Sequence, residues 1–508
     1  LSGETATGLD FRLRWPALWA IAGGAAWGGC HAAHPPAGLA VVALTPLFLL
    51  LGARRPFLLG WLHGFVAWVA AVPWIAHTIT VYGMLPGWLA ALALALLAGL
   101  LGFYDGLFAA LGARLWRRGD ALSVAALPAL WVALEGLRAW ALTGFPWNLA
   151  AYAWTDWPGA LPLASWIGAR GVSALVLVPP LGLALAVRRR SWLPLALGAL
   201  VPAALLPVGA RFAAPLAVDA SQAPPQPLPV AVVQPNTPDR PLFDAHANVE
   251  DYQRLLEMSA NACAPGRLVI WPESAAWPRD WQDDVVLRDD VERLTGRGCA
   301  VLLNTPYTVG PKTYNSVVLV TPGGGSAPPQ RVDKRHLVPF GEYVPLRRIL
   351  PFVGKIARMV GDFSPADGVT LLDLAGERLG VAVCYEVIFP AETARLVAAG
   401  ATILVTVTND GWYGDTAAPR QHLRAARFRA AENRRWLLRA AITGISAVVR
   451  PDGSLARVLG VGAQGTLLAG VEGRTDRSPY GRAPWLVPAL AVLVAAAALG
   501  RDRLRARG

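Results

Sequence analysis

Lysine is almost missing from this sequence: Lys312, Lys334 and Lys355 are the only three, and the other 43 of the 46 basic residues are arginine. Charge of either sign is scarce. Asp, Glu, Lys and Arg make up 16% of the chain, against roughly 25% in soluble globular proteins. With 54% hydrophobic residues and a mean hydropathy of +0.41, this excludes a disordered chain, which is poor in apolar residues and rich in charge. Cysteine is rare too, and four in 508 residues exclude a disulfide-built scaffold. The length is a little over three times the ~150 residues of a single domain, so at least two units are expected. What is present in excess is positive charge: +12 net, with an isoelectric point near 10.0. On its own that is the signature of a nucleic-acid binder. Its placement shows otherwise.

From Trp15 to Ala210 the chain is a succession of apolar stretches, many near the ~20 residues that cross a bilayer as a helix. Spans are expected near 15–30, 38–53, 57–78, 87–112, 122–141, 165–187 and 192–210, with an eighth at 484–500. No cleavable signal peptide is expected, and Leu1 at the start points to a non-Met start or a trimmed end.

The basic residues follow the spans. Residues 1–212 hold 13 Arg and 6 acids, 213–482 hold 29 basic and 27 acidic residues, and 483–508 hold 4 Arg and 1 acid. Ten of the twelve net charges therefore accompany the apolar helices. Arg12 and Arg14 precede span one, Arg54 and Arg55 lie between spans two and three, and Arg114, Arg117 and Arg118 follow span four. Arg188 to Arg190 follow span six, and Arg501, Arg503, Arg505 and Arg507 follow span eight. Under the positive-inside rule every cluster is cytoplasmic, so both termini lie inside and residues 213–482 face outside. Three units are expected: a seven-helix membrane domain (1–212), an extracytoplasmic domain (213–482), and an eighth span with a basic tail (483–508).

The middle unit reads as α/β. A Pro/Ala-rich linker (Ala223–Pro227) opens it, and strands are expected at Val230–Gln234, Arg267–Trp271, Ala300–Asn304, Ser316–Thr321, Leu379–Cys384 and Ala401–Thr408. Helical patterns at Val249–Ala262 and Gln421–Ala440 alternate with them.

Three residues in this unit carry chemistry. In a chain that uses Arg for plain positive charge, Lys334 stands out, because an amine approaches a reacting group as guanidinium does not. Cys384 ends an apolar run and precedes a helix expected from about Pro390. A strand-to-helix turn would aim its sulfur at helix N–H groups and lower its pKa. Glu273 follows a strand at the end where open α/β sheets build their sites.

Glu273, Lys334 and Cys384, in that order, resemble the Glu-Lys-Cys set of the nitrilase superfamily. HLVPFGEYVP (His336–Pro345), CYE (Cys384–Glu386), TNDGWYGDTAAPRQH (Thr408–His422) and TGFPWNLAAY (Thr143–Tyr152) are similar to apolipoprotein N-acyltransferases, its membrane-embedded branch. The resemblance implies a multi-pass helical membrane domain joined to an α-β-β-α nitrilase-like domain outside the cytoplasmic membrane. It also implies a ping-pong acyltransferase with Cys384 as nucleophile, Glu273 as base and Lys334 at the oxyanion, aided by the Tyr385 backbone N–H. Glu342 and Glu386 would orient Lys334 or tune Glu273, and Phe243, Trp412 and Tyr343 would contact substrate. The donor would be the sn-1 chain of a phospholipid such as phosphatidylethanolamine. The acceptor would be the α-amine of a diacylglyceryl-cysteine on an apolipoprotein, and the enzyme would act as a monomer. The chain departs from the family in having Phe243 where a Trp is frequent and Arg420 before the Gln-His pair. A membrane-tethered amidase and a non-catalytic scaffold are the alternative functions.

No cofactor, metal or nucleic acid is expected: His31, His34, His63 and His77 are scattered and lack zinc-ligand spacing. Glu135 and Arg138, at i,i+3, are expected to pair on one helix face. An apolar segment at Phe340–Met359 either dips into the membrane or packs in the core. Cys263 and Cys299 are either bonded or free, since Cα separation decides that.

Overall fold

The computed structural model describes residues 14–36, 38–211, 227–237, 245–323, 328–344 and 362–505. Arg12, Phe243, the linker up to Gln226 and the Phe340–Met359 segment beyond Val344 lie outside these residues.

Helices occupy all eight places where apolar spans are expected: Pro16–Gly29 (α1), Leu39–Val42 (α2), Thr45–Leu50 (α3), Pro56–Ala71 (α4), Trp74–Val81 (α5), Gly87–Arg118 (α6), Ala121–Arg138 (α7), Ala160–Val176 (α8), Val178–Arg189 (α9) and Leu193–Arg211 (α10), then Leu486–Arg505 near the other end. Among the described residues four helical stretches are long and apolar enough to cross a membrane: α6, α7, α8 with α9, and α10. The count is five if the bent pair α4–α5 is one span. That pair turns by 55° where Val72-Pro73 interrupts it, because proline removes a donor and restricts the residue before it. At the other three places the apolar helical stretch is shorter, Leu486–Arg501 at the last of them; α1, at 14 residues, rises only about 21 Å. Local chemistry sets the ends. Gly119, at φ +67°, closes α6, and Asp120 caps α7 by accepting from Ser123 N at 3.0 Å.

The α/β region is two six-stranded sheets. The first contains Leu228–Gln234 (β1), Leu268–Ile270 (β2), Ala300–Val309 (β3), Lys312–Val320 (β4) and Gln330–Asp333 (β5), with Gly465–Val471 (β12) beside β1. The second runs from Leu372–Leu374 (β6) through Glu377–Val383 (β7), Ile403–Thr408 (β8), Leu437–Ala441 (β9) and Ser446–Val449 (β10) to Leu455–Leu459 (β11). β1–β2–β3 and β7–β8–β9 are parallel and the remaining neighbours antiparallel.

Side-chain alternation makes the layers. Val230, Val232 and Ile270 of the first sheet share one core with Val381, Val383 and Val405 of the second. Their neighbours Ala231, Val233 and Val269 point the other way, onto the helices Ala245–Ala262 (α11) and Val285–Thr295 (α12). The outer face of the second sheet carries Pro390–Ala398 (α13) and Ala418–Asn433 (α14). Its core is continuous with the membrane-type helices, uniting Trp27, Trp68 and Leu134 with Ala382, Leu404 and Phe428.

The expected helix over Gln421–Ala440 is a correction. α14 ends at Asn433, because Arg434 takes φ +52°, and Leu437–Ala441 pairs with β8 as strand β9. Cys263 and Cys299 form a disulfide, with Cα atoms 5.4 Å apart.

Candidate active site

Each key side chain leaves the end of a strand at the same edge of the sandwich. Glu273 follows β2, Lys334 follows β5, Cys384 follows β7 and Thr408 ends β8. Parallel strands point these ends one way, which is where open α/β sheets collect their chemistry.

Glu273 is buried and held at both oxygens. Oε1 accepts from Asn315 Nδ2 at 3.0 Å and from Lys334 Nζ at 3.4 Å, while Oε2 accepts from Asn409 N at 2.9 Å. Asn315 is fixed in turn by Asn304, whose Nδ2 donates to its Oδ1 at 2.6 Å. Lys334, 1% exposed, donates at 2.9 Å to Glu342 Oε1, and Glu342 Oε2 accepts from Val338 N. Burial disfavours the ammonium, but the carboxylates of Glu342 and then Glu273 outweigh it and hold its pKa above the ordinary lysine value. Lys334 is therefore a permanent cation.

Cys384 opens a 3₁₀ turn, Cys384–Ile388, at φ +50°. A non-glycine residue at positive φ is uncommon and concentrates at functional turns. Burial, then the neighbouring Glu273, push the thiol pKa up, against the opposing pulls of Lys334 and Thr408. The expected lowering by helix N–H groups is overturned: the thiol is protonated at rest and needs a base.

Glu386 is also placed differently from expectation. Its Oε1 accepts from Arg335 N and His336 N at 2.8 and 3.1 Å, and its Oε2 from Val383 N at 2.7 Å. It braces the cysteine turn against the segment after Lys334, rather than orienting the Lys334 amine. Tyr385 donates from its hydroxyl to Gly144 O at 3.1 Å, tying the Cys384 turn to the loop after α7. Trp412 is 41% exposed with its ring against Tyr82, and Tyr343 is half-buried. Phe243 is outside the described residues.

Behind Cys384 lies a second buried cluster. His422 Nε2 sits 3.1 Å from Cys384 O; a carbonyl only accepts, so this nitrogen carries a proton. His422 Nδ1 is 3.1 Å from Asp410 Oδ1, and Arg439 Nη2 donates to Asp410 Oδ2 at 2.6 Å. Burial and Arg439 lower the His422 pKa. Burial opposes the Asp410 charge, but Arg439 foremost prevails and holds its carboxyl below the usual range. Asn315, Asp410 and Arg439 had no assigned role in the sequence reading. The string TNDGWYGDTAAPRQH contains Asp410 and His422, but their partner Arg439 is 17 residues beyond His422 and spacing does not join them.

Glu135 and Arg138 are buried but held separately, correcting the expected pair. Glu135 accepts from Trp131 Nε1 and Ala150 N, whereas Arg138 donates to Trp147 O and stacks on Trp68. Among the described residues no group of His, Cys, Asp or Glu is arranged to hold a metal ion.

Two family models match. Residues 23–179 fit the apolipoprotein N-acyltransferase N-terminal domain, and residues 229–479 fit carbon-nitrogen hydrolase. An apolipoprotein N-acyltransferase of Geobacter metallireducens is 35% identical, the match covering 92% of each chain. One from Azotobacter vinelandii is 35% identical over 96% of each. Among solved structures, a nitrilase-superfamily protein of Saccharomyces cerevisiae is 19% identical, covering 50% of this chain and 93% of that one at a TM-score of 0.39. With relatives of this identity matching from end to end, the chain belongs to the apolipoprotein N-acyltransferase family and is an acyltransferase of nitrilase type.

Proposed function

We propose that this enzyme transfers an acyl chain from a phospholipid, phosphatidylethanolamine foremost, to the N-terminal α-amine of a diacylglyceryl-cysteine on an apolipoprotein. The observation that carries the reading is the carboxylate–ammonium–carboxylate cluster of Glu273, Lys334 and Glu342 beside a buried thiol on a turn at positive φ.

Glu273 takes the thiol proton, and the thiolate attacks the ester carbonyl carbon. Lys334 and the Tyr385 backbone N–H face the resulting oxyanion. Collapse expels the lysophospholipid alkoxide, which takes the proton from Glu273 and leaves a thioester on Cys384. The lipoprotein amine attacks that thioester and gives a proton to Glu273. The amide departs and the thiolate recovers the proton. Glu342 keeps Lys334 charged and aimed throughout.

In this reading residues 1–212 form a seven-helix membrane domain in the cytoplasmic membrane, 213–482 lie on its outer side, and 483–508 return as an eighth span. The basic clusters support that orientation, as does the Cys263–Cys299 disulfide, since such bonds persist in oxidising compartments. Both substrates are lipids, which accounts for a catalytic region anchored by membrane-type helices.

The test is mass spectrometry of the purified enzyme after incubation with radiolabelled phospholipid. A hydroxylamine-labile acyl group on Cys384 is expected. Hydrolysis of small amides with no label on the cysteine would make the chain an amidase instead. Full complementation by Cys384→Ala would leave only a scaffold.

A further inference from the structure

We propose that Thr408 is a catalytic residue whose hydroxyl donates a hydrogen bond to the sulfur of Cys384 whenever that sulfur is a thiolate, and to Asp410 at all other times. The proposal rests on the thiol-nucleophile reading above and adds a group to it.

Thr408 ends β8, next to β7, which delivers Cys384. Its Oγ1 lies 3.2 Å from Cys384 Sγ and 2.9 Å from Asp410 Oδ1. A threonine hydroxyl carries one proton, so the two acceptors cannot be served together. Both are within reach of one oxygen position, so only the O–H bond rotates and no heavy atom moves. Thr408 is fully buried, as is Asp410, and no water is needed to relay the bond. Branching at Cβ restricts χ1 and holds the oxygen between its acceptors.

The acceptors differ in strength through the cycle. While Cys384 is a thiol, its sulfur is a weak acceptor and the Asp410 carboxylate, held as an anion by Arg439, is a strong one. When Glu273 removes the thiol proton, the sulfur becomes an anion in a buried site, where charge-assisted bonds are strongest. The hydroxyl then turns to it. Asp410 keeps Arg439 as its donor. Acylation converts the sulfur to a thioester, again a weak acceptor, and the hydroxyl returns. The proton stays on Thr408 throughout, so the balance of the transfer steps is unchanged.

The other charged or titratable groups about the sulfur are Glu273, Lys334 and Asp410, with Tyr413, His422 and Arg439 packed behind. The test is alkylation of Cys384 by iodoacetamide in the full-length, detergent-purified enzyme, followed by peptide mass spectrometry from pH 6 to 10; mapping separates Cys384 from the buried Cys30. Thr408→Val keeps the shape and loses the donor. It is expected to slow alkylation about tenfold, the scale of a hydrogen bond to a charged group, at every pH in that range, where the thiol with its raised pKa stays mostly protonated. Thr408→Ser is expected to restore the parent profile. A Val variant with the parent profile would overturn the proposal, and so would a Ser variant as slow as Val, which would assign the effect to packing. Should Val not accumulate, Thr408→Ala against Thr408→Ser makes the same comparison with smaller side chains. Alkylation needs no acyl donor. An unlabelled Cys384 in the phospholipid experiment would therefore sink the acyltransfer reading while leaving this result intact.

Discussion

Trp147 donates its indole N–H to Gln421 Oε1 over 2.7 Å, joining the loop after α7 to helix α14 of the sheet sandwich. The same oxygen accepts from Trp74 Nε1 at 3.1 Å, and the amide nitrogen donates to His31 O and Ala71 O, each at 2.7 Å. One side chain therefore gathers four points of the helical region onto the helix that backs the catalytic sheet. All of it is buried, so each bond lost leaves a group without water to replace it.

Gln421→Glu is expected to break this junction. A carboxylate keeps acceptors for the two indoles but turns an anion toward two main-chain oxygens. Two buried acceptors left unpaired cost at least about 2 kcal/mol, and the charge adds to that. Thermal unfolding in detergent should show a drop of several degrees, with faster proteolysis near α14. A variant that melts with the parent would mean that the junction contributes nothing.

Much of this architecture is legible in the sequence, and the exceptions share a cause. The positions of Glu273 and Cys384 at strand ends follow from local apolar runs, and local runs are what a sequence displays; the strand before Lys334, Gln330–Asp333, has no such run and is not among the expected strands. Strand β9 is not expected either, because Leu437–Ala441 continues the pattern of α14 and only the left-handed Arg434 breaks it. Gln421, Asp410 and Arg439 escape for a related reason: their partners are remote or on another element, and a polar residue reads as exposed until its partners are known. Burial likewise reverses the expected direction of the Cys384 pKa.

Glu342→Gln is expected to destabilise the enzyme by about 3 kcal/mol, the cost of removing one partner from a buried charge pair. The pH dependence follows from Lys334. Its folded pKa is raised, so its contribution is complete below the ordinary lysine value and lost only as pH rises through the higher folded one. Melting temperatures of parent and variant at pH 6, 7.5 and 9 should therefore differ by a constant amount. A gap that changes across that range would assign the loss to another group.

Asp410→Asn has the opposite pH signature. The folded carboxyl titrates below its ordinary value, so its stabilisation is complete above about pH 4 and lost as pH falls through the folded pKa. At neutral pH the variant leaves the Arg439 guanidinium buried without its anion, a loss of about 3–5 kcal/mol. Denaturant melts should show that gap from pH 5 to 8 and its closure only below about pH 4. Closure already at pH 6 would show that a histidine, not Asp410, governs it.

Gly144→Ala tests whether the loop after α7 serves the chemistry of the distant cysteine turn. Gly144 has φ +84°, and an added Cβ would lie 2.2 Å from Ala139 O and 3.2 Å from the Phe389 ring. Both the backbone and the space therefore require glycine. The loop must shift to accept alanine, and Gly144 O then leaves the Tyr385 hydroxyl, which loses its partner 241 positions away in sequence. Tyr385→Phe removes the same bond from the other side without moving the loop, at about 1 kcal/mol. If the bond steadies the turn, both variants slow acylation of Cys384, and the double variant is no slower than Gly144→Ala alone, as expected for two changes that break one interaction. Additive losses in that cycle, measured by the rate of label capture on Cys384, would show that the loop and the turn act independently.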